Sequence, residues 1–350
     1  MVGKQLALYF DAPYTVSLRE EVCPQPEPHE VLVETAVSAI SAGTELLIYR
    51  GQLPDDMAAD ETIAALAGKL AYPLRYGYAA VGQVVATGSL VDEAWLDRMV
   101  FAFQPHASHF VARPDELIPL PPGLDPETAV FLPNMETAVS FLMDSQPLIG
   151  EQVAVFGQGV VGLLTTMLLA DLPLSSLVTL DSYALRRDWS ARLGATAVFD
   201  PTAADDQAIH HALQGERPYL GADLVYELSG NPQALARAIE VVGYNGRILI
   251  GSWYGQKEAA LNLGGHFHRN HIQLRSSQVS HIAPQWQGRW TKARRLAVAW
   301  QQLARHQPAR LISHRFPLAQ AAEAYHLLDN APETAVQILL TNNEKELFSA

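Results

Sequence analysis

The amino-acid sequence predicts an α/β fold in which a doubly wound parallel sheet is inserted into a mainly β region. Two observations support this prediction. Residues 152–162 read QVAVFGQGVVG, an apolar run that ends in three spaced glycines and is followed by an apolar helical segment. From about residue 120 onward, strand-like and helical segments alternate, whereas the earlier residues form short β-branched runs separated by proline and glycine.

The mainly β region is predicted from its first part. The predicted strands there are residues 5–10, 30–38, 79–86 and 97–102. Three prolines within residues 21–29 predict an extended connector. Residues 54–71 are rich in alanine and begin with acidic residues, which favours a helical insertion.

Strands and helices alternate in the second region. The predicted strands are residues 153–157, 177–180, 197–200, 222–228, 246–251 and 272–279, with a last one at 336–340, and the predicted helices are residues 160–170, 184–193, 232–242 and 291–306. Short loops between such segments require parallel strands joined by right-handed crossovers. Ligands bind at the carboxyl ends of these strands. The residues at these ends are Gly157, Asp181, Ser229, Gly230 and Gly251.

The glycine triplet fits a dinucleotide-binding turn. Gly157 allows the sharp turn after the strand, Gly159 lets a pyrophosphate approach the backbone, and Gly162 lets the helix pack close to the sheet. The amides of Val160 and Val161 begin the helix and would bind the phosphates at its positive end. The spacing alone is weak evidence, but its place between a strand and a helix predicts a nucleotide site.

Asp181 bears on the choice of cofactor. A carboxylate at this strand end accepts hydrogen bonds from the ribose hydroxyls of NAD and repels the 2′-phosphate of NADP. Arg186 and Arg187 follow on the next helix and would soften that repulsion, although arginines on a solvated helix face are the alternative. The sequence therefore favours NAD over NADP.

Composition excludes several classes of function. The chain of 350 residues has a formal net charge of −13, which argues against a nucleic-acid partner because phosphate contacts need a basic surface. The single cysteine, Cys23, argues against a disulfide framework and fits a reducing, cytoplasmic compartment. The first residues lack the apolar core of a signal peptide. The apolar stretch 153–174 is interrupted by glycines and closed by Asp171 and Pro173, so a buried strand and helix explain it better than a membrane span.

Several segments together resemble the medium-chain dehydrogenase/reductase superfamily over nearly the whole chain. They are residues 39–51, 77–88, 152–162, 191–200, 222–232 and 246–255. The resemblance implies a GroES-like catalytic domain at 1–135 that resumes at 279–350, with a Rossmann domain at 136–278 inserted between. It also implies a nicotinamide cofactor, an active site in the cleft between the domains, and a homodimer joined through sheet edges near 272–279.

The chain departs from the zinc-dependent members that it resembles, which carry Cys-Gly-Thr-Asp and Gly-His-Glu motifs and a third cysteine. Here the three ligand positions are Ala42, Tyr78 and Asn134. Zinc sites need thiolate, imidazole or carboxylate ligands that converge, so we expect no zinc. Two subgroups are the nearest. Residues 40–45 resemble a motif of the bacteriochlorophyllide a dehydrogenase-like group, and residues 134–139, 252–255 and 274–279 resemble an uncharacterised group of zinc-binding dehydrogenases.

Without zinc, a side chain must polarise the substrate oxygen and handle its proton. Thr44 stands where the resemblance places a proton-relay hydroxyl, but Leu47 replaces the relay histidine. Tyr78 replaces a metal ligand and should therefore point into the site, where it is the first candidate for a hydrogen bond to the substrate oxygen. A tyrosine that only fills the space of the metal is the alternative.

Other titratable residues follow the same motifs. Glu45 and Glu136 are the nearest carboxylates in sequence, and either could move a proton. A structural ion pair is favoured for Glu45, whereas neither role is favoured for Glu136. His106 and His109 are expected beside the cleft, with a packing role as the alternative.

A basic segment lies near the end of the second region. Within residues 263–278, its cationic and imidazole side chains are His266, His268, Arg269, His271 and Arg275. The segment would bind an anionic group of the substrate, such as a carboxylate, or would be an exposed connector at a subunit interface. The resemblance implies that the backbone of Ser276, Ser277 and Gln278 meets the nicotinamide carboxamide.

These observations predict a zinc-independent oxidoreductase that transfers a hydride between NAD(H) and an alcohol or carbonyl substrate. Its expected partners are a small-molecule substrate and a second copy of the chain, with neither nucleic acid nor membrane. One alternative is an enoyl or quinone reductase that uses NADPH. The other is a catalytically silent dinucleotide-binding protein.

Overall fold

The computed structural model describes residues 3–52, 71–214 and 221–342. The chain divides into two compact units, one from Met1–Pro133 with Leu303–Ala350 and the other from Asn134–Gln302. The helical insertion predicted at 54–71 lies outside the described residues except for its last position. Among the described residues, no helix is long and apolar enough to cross a membrane.

Strands dominate the first unit, and strands alternate with helices in the second. In chain order, the first part of the first unit contains β1 (Lys4–Ala12), β2 (Thr15–Val22), β3 (Val31–Ala39), α1 (Ala42–Tyr49), β4 (Ala80–Thr87), β5 (Met99–Ala102), β6 (His109–Ala112), β7 (Ile118–Pro119) and α2 (Pro126–Ala129). The elements of the second unit, whose first and last helices extend a few residues beyond it, are α3 (Leu132–Ser145), β8 (Gln152–Phe156), α4 (Val160–Ala170), β9 (Ser176–Leu180), α5 (Ala184–Arg192), β10 (Ala197–Phe199), α6 (Asp206–Gln214), β11 (Ala222–Glu227), α7 (Pro232–Val241), β12 (Val242–Ile250), β13 (Gln273–Ser276) and α8 (Lys292–His306). The first unit is completed by β14 (Ile312–Pro317), α9 (Ala321–Asn330) and β15 (Gln337–Thr341).

The first unit is built on one large sheet. Within the described residues, its seven strands run in the order β14-β15-β3-β4-β5-β7, with β6 paired to β3, while β1 and β2 form a separate antiparallel hairpin. The pairs are antiparallel except β14 with β15. β-Branched residues such as Val31, Val33 and Val84 fill the core between the strands, as expected for side chains that suit a pleated surface.

Helix α1 is an element that the sequence pattern does not predict. Its apolar residues come in succession, at Leu46, Leu47, Ile48 and Tyr49, and so give no 3.6-residue periodicity. Tertiary packing explains the helix instead, because Ile48 and Tyr49 are buried in one core cluster and Tyr49 stacks on Tyr325 of α9 with ring centroids 5.7 Å apart.

The second unit contains the predicted doubly wound sheet. Its six described strands are all parallel and run in the order β10-β9-β8-β11-β12-β13. Counted from β8, this is the order 3-2-1-4-5-6 of a Rossmann sheet, whose switch point lies between β8 and β11. Both strands are almost entirely buried, which matches their apolar runs Val153–Phe156 and Leu224–Tyr226.

The second compact unit extends to Gln302 and so includes most of α8. Arg295 of α8 connects this part of the chain to the unit. Its guanidinium is buried and donates to Glu136 of α3 at 2.9 and 3.1 Å, and it also donates to the carbonyls of Val279 and His281. The segment that follows β13 is thereby fixed to the second unit, through a partner 159 residues away that no local pattern reveals.

Candidate functional site

The strands β8 and β11 meet at the switch point through two turns in close contact. Gly157 follows β8 with φ +90°, and a Cβ built on it would lie 2.6 Å from both the Cα and the amide nitrogen of Ser229, which follows β11. The left-handed conformation and the close approach both require glycine. The structure therefore brings together two of the predicted cofactor residues.

The start of α4 leaves room for a ligand against its backbone. A Cβ built on Gly159, the N-cap residue, would meet no atom within 4 Å, whereas one built on Gly162 would lie 2.0 Å from the Gly157 carbonyl oxygen. Gly162 is thus needed for packing, and Gly159 is not. The amides of Val160 and Val161 in the first turn have no intrahelical acceptor, so this cradle fits a pyrophosphate.

Asp181 holds the glycine turn from the end of β9. It is 7% exposed, and its two carboxylate oxygens accept from the amides of Gln158 at 2.7 Å and Tyr183 at 2.9 Å. A carboxylate has about four acceptor positions, so two remain for the hydroxyls of a ribose. The position and the chemistry of Asp181 fit the adenosine ribose of NAD.

The two arginines of α5 have partners inside the protein. Arg187 donates to the Asp181 carbonyl at 2.8 Å and to Asp200 at 3.1 Å. The guanidinium of Arg186 lies over the ring of Tyr183, 4.7 Å from its centroid. Arg187 is thereby held in a partly exposed ion pair beside the ribose position.

A buried carboxylate that the sequence analysis missed lies at the end of β11. Glu227 is fully buried and accepts from the Ser229 amide at 2.9 Å, from the Ser229 hydroxyl and from the Tyr254 hydroxyl at 2.5 Å. Burial and then the bond to Glu227 raise the pKa of Tyr254 well above its usual range. The nearby Gly230 amide donates to Ser252 at 2.8 Å. A charged residue directly after the apolar run Leu224–Tyr226 is the signal that could have identified Glu227.

The remaining cofactor candidates lie on the next strand ends. A Cβ on Gly251 would lie 2.3 Å from the Phe141 ring, so glycine is needed there for packing. Ser276 ends β13. The Ser277 amide donates to the Ile250 carbonyl at 2.9 Å and its hydroxyl to Asp144 at 2.6 Å, and Gln278 bonds to Ser280 at 2.7 Å. The backbone amide of Ser277 and the side chain of Gln278 thus already have partners within the protein.

The basic segment has structural partners at several positions. His266 bonds to the Val242 carbonyl at 2.8 Å and to Asn270 at 2.9 Å. Arg275 donates to the Asp144 carbonyl at 3.0 Å. The exposed members are His268, Arg269, His271 and Arg275. The ring of His271 packs against Tyr244. These contacts favour the exposed-connector explanation over a preformed anion site.

In the first unit, Glu45 is the centre of a buried hydrogen-bond network. Its side chain is fully buried and accepts from the Ser41 amide at 2.8 Å, from the Tyr325 hydroxyl and from His106 Nε2 at 3.0 Å. His106 Nδ1 lies 2.8 Å from the Ser38 hydroxyl. His106 is completely buried, so its position agrees with the packing alternative and not with a residue that lines an open cleft. His109 contacts the neighbouring Ser108.

Around the start of α1, the structure brings Thr44, Tyr78 and Ser41 together. The hydroxyls of Tyr78 and Ser41 are hydrogen-bonded directly, and the Thr44 amide donates to the Ser41 carbonyl at 3.1 Å. Tyr78 is half-buried, and its ring contacts Tyr76 edge to face. The sequence analysis missed Ser41, because a serine before a helix is ordinarily explained as an N-cap.

Glu136 lies in the second unit, 3% exposed and ion-paired with Arg295. Burial raises the pKa of Glu136, and the charge of Arg295 opposes that rise. A guanidinium stays charged in proteins. The pair therefore gives Glu136 a structural role that its sequence position does not reveal.

The positions that correspond to zinc ligands do not offer a zinc donor set. Ala42 carries no donor atom, the Tyr78 hydroxyl bonds to Ser41, and Asn134 is a buried amide. Within residues 3–52, 71–214 and 221–342, no group of three histidine, cysteine or acidic side chains comes together as a metal site. The residues present therefore do not fit the metal that the superfamily commonly holds.

Comparisons with known proteins agree with this fold. Residues 160–298 match the zinc-binding dehydrogenase family. The chain is 24% identical to D-guloside 3-dehydrogenase of Escherichia coli K12 over 328 residues, which cover 89% of this chain and 93% of that enzyme. It also aligns with an alcohol dehydrogenase of Escherichia coli CFT073 in complex with NADH (TM-score 0.76, 18% identity, 97% and 99% of the two chains) and with a zinc-binding dehydrogenase of Sinorhizobium meliloti 1021 bound to NADP (TM-score 0.75, 20% identity, 97% and 99%).

These matches confirm the predicted fold class, a Rossmann sheet inserted in a GroES-like unit. Together with the sequence relatives, they support a place in the medium-chain dehydrogenase/reductase superfamily and an oxidoreductase activity. One of the two structures holds NADH and the other NADP, which supports a nicotinamide dinucleotide as the type of cofactor.

Proposed function

We propose that this protein is an NAD(H)-dependent oxidoreductase that interconverts an alcohol and the matching carbonyl compound without zinc. The observation that carries the proposal is the turn after β8, where Gly157, Gly159 and the start of α4 form a pyrophosphate cradle held by Asp181. When bound, the cofactor supplies or accepts the hydride. The protein binds it, orients the substrate and handles one proton.

NAD is favoured over NADP by the charges around the ribose position. Asp181 presents a carboxylate there, and Arg187 is already paired with Asp200. A 2′-phosphate would therefore meet one carboxylate and a guanidinium whose charge is partly neutralised. The observation that favours the NADPH alternative is a second cation on α5, Arg186, whose guanidinium lies over the ring of Tyr183 just before the helix.

Tyr78 is our candidate for the hydrogen bond to the substrate oxygen. A phenol can donate to a carbonyl and give up a proton as the oxygen gains charge, a role that a metal would otherwise share. The substrate class follows from the matched relatives, whose names place them among enzymes of alcohols and sugars. We infer a small substrate with a hydroxyl or carbonyl group.

The same proposal includes a cytoplasmic homodimer. Strand β13 lies at the edge of the second unit's sheet and offers backbone groups for pairing with a second copy. Light scattering of purified protein should give twice the chain mass of 38.3 kDa. A monomer at micromolar concentration would contradict this part of the proposal.

Activity and metal content can be tested together. Purified protein is first analysed for zinc and then incubated with NADH and a panel of aldehydes, ketones and keto-sugars, with and without EDTA. We expect less than stoichiometric zinc and turnover that EDTA does not change. One zinc per chain, or activity lost to EDTA, would contradict zinc independence. NADH binding without turnover of any carbonyl compound would favour the silent binding protein.

A further inference from the structure

Ser41 has an unusual use for a residue at the start of a helix. It occupies the N-cap position of α1, yet its side chain accepts no hydrogen bond from the first turn. Serine is favoured at this position because its oxygen ordinarily caps a free amide. Here the hydroxyl bonds to the Tyr78 hydroxyl instead. The sequence therefore places two hydroxyl groups together at the cost of a helix cap.

The backbone of Ser41 is held rigidly by buried groups. Its amide donates to Glu45 Oε1 at 2.8 Å, and the other carboxylate oxygen of Glu45 bonds to His106 at 3.0 Å and to Tyr325. His106 is fixed in turn by Ser38 at 2.8 Å. The Ser41 hydroxyl is thus presented to Tyr78 from a fixed support.

We propose that Ser41 is a positioning residue that donates a hydrogen bond to the Tyr78 oxygen and stabilises the tyrosinate formed when Tyr78 protonates the substrate. This inference rests on the proposed reductase function. A half-buried phenol needs a hydrogen-bond partner in either role, and the partner here is a second hydroxyl that is able to donate. A donor held at the phenolic oxygen stabilises the charge that develops there.

The proton and electron balance is simple. In the direction of reduction, the carbonyl carbon gains the hydride that NADH supplies, and NADH is oxidised to NAD⁺. The electron pair of the carbonyl π bond moves to the oxygen, which takes the proton as the O–H bond of Tyr78 breaks. The tyrosinate left behind accepts from Ser41 and is reprotonated by solvent.

Three titratable groups surround the support of Ser41. Glu45 of α1 bonds to the Ser41 amide, and it also bonds to His106 from the segment before β6 and to Tyr325 from α9. Tyr76 contacts the Tyr78 ring. Ser41 bonds directly to the Tyr78 hydroxyl, so removal of the serine hydroxyl tests the effect of that bond.

The test compares Ser41→Ala, Ser41→Thr and Tyr78→Phe with the wild type. The pKa of Tyr78 is measured by ultraviolet absorbance of tyrosinate, without substrate or NADH. The contribution of Tyr78 is the part of the titration that is missing from the Tyr78→Phe variant. In Ser41→Ala we expect the pKa of Tyr78 to rise by about one unit, because a donor to the ionised form is lost. The alkaline limb of kcat for carbonyl reduction should move up by the same amount, with kcat about tenfold lower. Ser41→Thr keeps a hydroxyl and should restore both.

Each result decides the matter. An unchanged titration of Tyr78 in a folded Ser41→Ala protein overturns the inference whatever the activity. A shifted titration in a protein that reduces no carbonyl compound shows that the proposed function fails and overturns the proton-donor role with it. Thermal melting of the variants confirms that the comparison is made on folded protein.

Discussion

The backbone amide of Gln158 donates a hydrogen bond of 2.7 Å to the Asp181 carboxylate. Through it, the residue that follows β9 holds the glycine turn that follows β8. In the proposed cofactor site, one carboxylate therefore holds the phosphate-binding turn and keeps acceptor positions for the ribose. In the sequence, the glycine turn after β8 and the acidic residue after β9 are two separate motifs. In the structure, the Asp181 side chain connects them.

Replacement of Asp181 should weaken NADH binding. Asp181→Ala removes both the ribose acceptor and the bond to the turn, and we expect the Kd for NADH to rise at least about tenfold, since a bond to a charged group is worth about 1.5–3 kcal/mol. Asp181→Asn keeps one acceptor oxygen and should lose less. The affinity for NADPH should fall less than that for NADH, because repulsion of the 2′-phosphate is relieved. Fluorescence titration gives the Kd of the wild type and of each variant for NADH and for NADPH. An unchanged NADH affinity would show that the ribose lies elsewhere.

Two glycines of the same turn should separate binding from folding. Gly159→Ala adds a methyl group where no protein atom lies within 4 Å and where φ is −64°, so the fold should persist while NADH binding falls at least about tenfold. Gly162→Ala places its methyl 2.0 Å from a backbone oxygen, so the protein should lose at least about 1–3 kcal/mol of stability.

Urea unfolding and NADH titration of the two variants make a matched pair. Equal loss of stability in both, or full binding by Gly159→Ala, would contradict the assignment of the cradle.

The Rossmann sheet is largely predictable from sequence because its central strands β8 and β9 contain short apolar runs, each followed by a turn and a helix. Helix α4 is predicted at 160–170 and observed at Val160–Ala170. In the first unit the strands β1, β3, β4, β5 and β15 are predicted, whereas β2, β6, β7 and β14 are not. Helix α1 is not predicted. Its apolar residues follow one another in sequence and cover all sides of one helical turn, so no polar face gives the 3.6-residue periodicity of a helix.

Breaking the buried ion pair should destabilise the second unit. Glu136→Gln leaves Arg295 charged without its carboxylate, which typically costs about 3–5 kcal/mol. The double variant Glu136→Leu with Arg295→Met removes both charges and should be more stable than the single variant. Chemical denaturation gives the free energies of unfolding. If Glu136 were catalytic instead, Glu136→Gln would keep its stability and lose activity.

Stability should decline at alkaline pH because of buried tyrosines. Burial raises the pKa of Tyr226 above its usual value of 10.0. Above pH 10 the unfolded chain releases this proton and the folded chain keeps it, so the free energy of unfolding falls by up to about 1.4 kcal/mol per pH unit for one such group.

Tyr226→Phe should reduce that slope. It also removes the hydrogen bond to Ser145, which lies 2.6 Å away, so the variant starts about 1 kcal/mol less stable at neutral pH. Urea unfolding between about pH 8 and 11 measures both effects. A slope equal to that of the wild type would show that Tyr226 ionises in the folded protein.

The site is only partly predictable from sequence, and the reason is distance along the chain. The residues of the glycine turn and Asp181 belong to one local unit with a known physical purpose. Glu45 depends on His106 and Tyr325, which are 61 and 280 residues away. A structural ion pair is favoured for Glu45 from the sequence, but the residues that contact it cannot be named without the fold.

The most direct test is a titration of the purified, metal-analysed protein with NADH and with NADPH, followed by protein fluorescence at physiological salt. Asp181 at the ribose and a ligand cradle at Gly159 predict saturable binding with NADH at least about tenfold tighter than NADPH. Tighter binding of NADPH, or no binding of either nucleotide, would contradict an NAD(H)-dependent oxidoreductase.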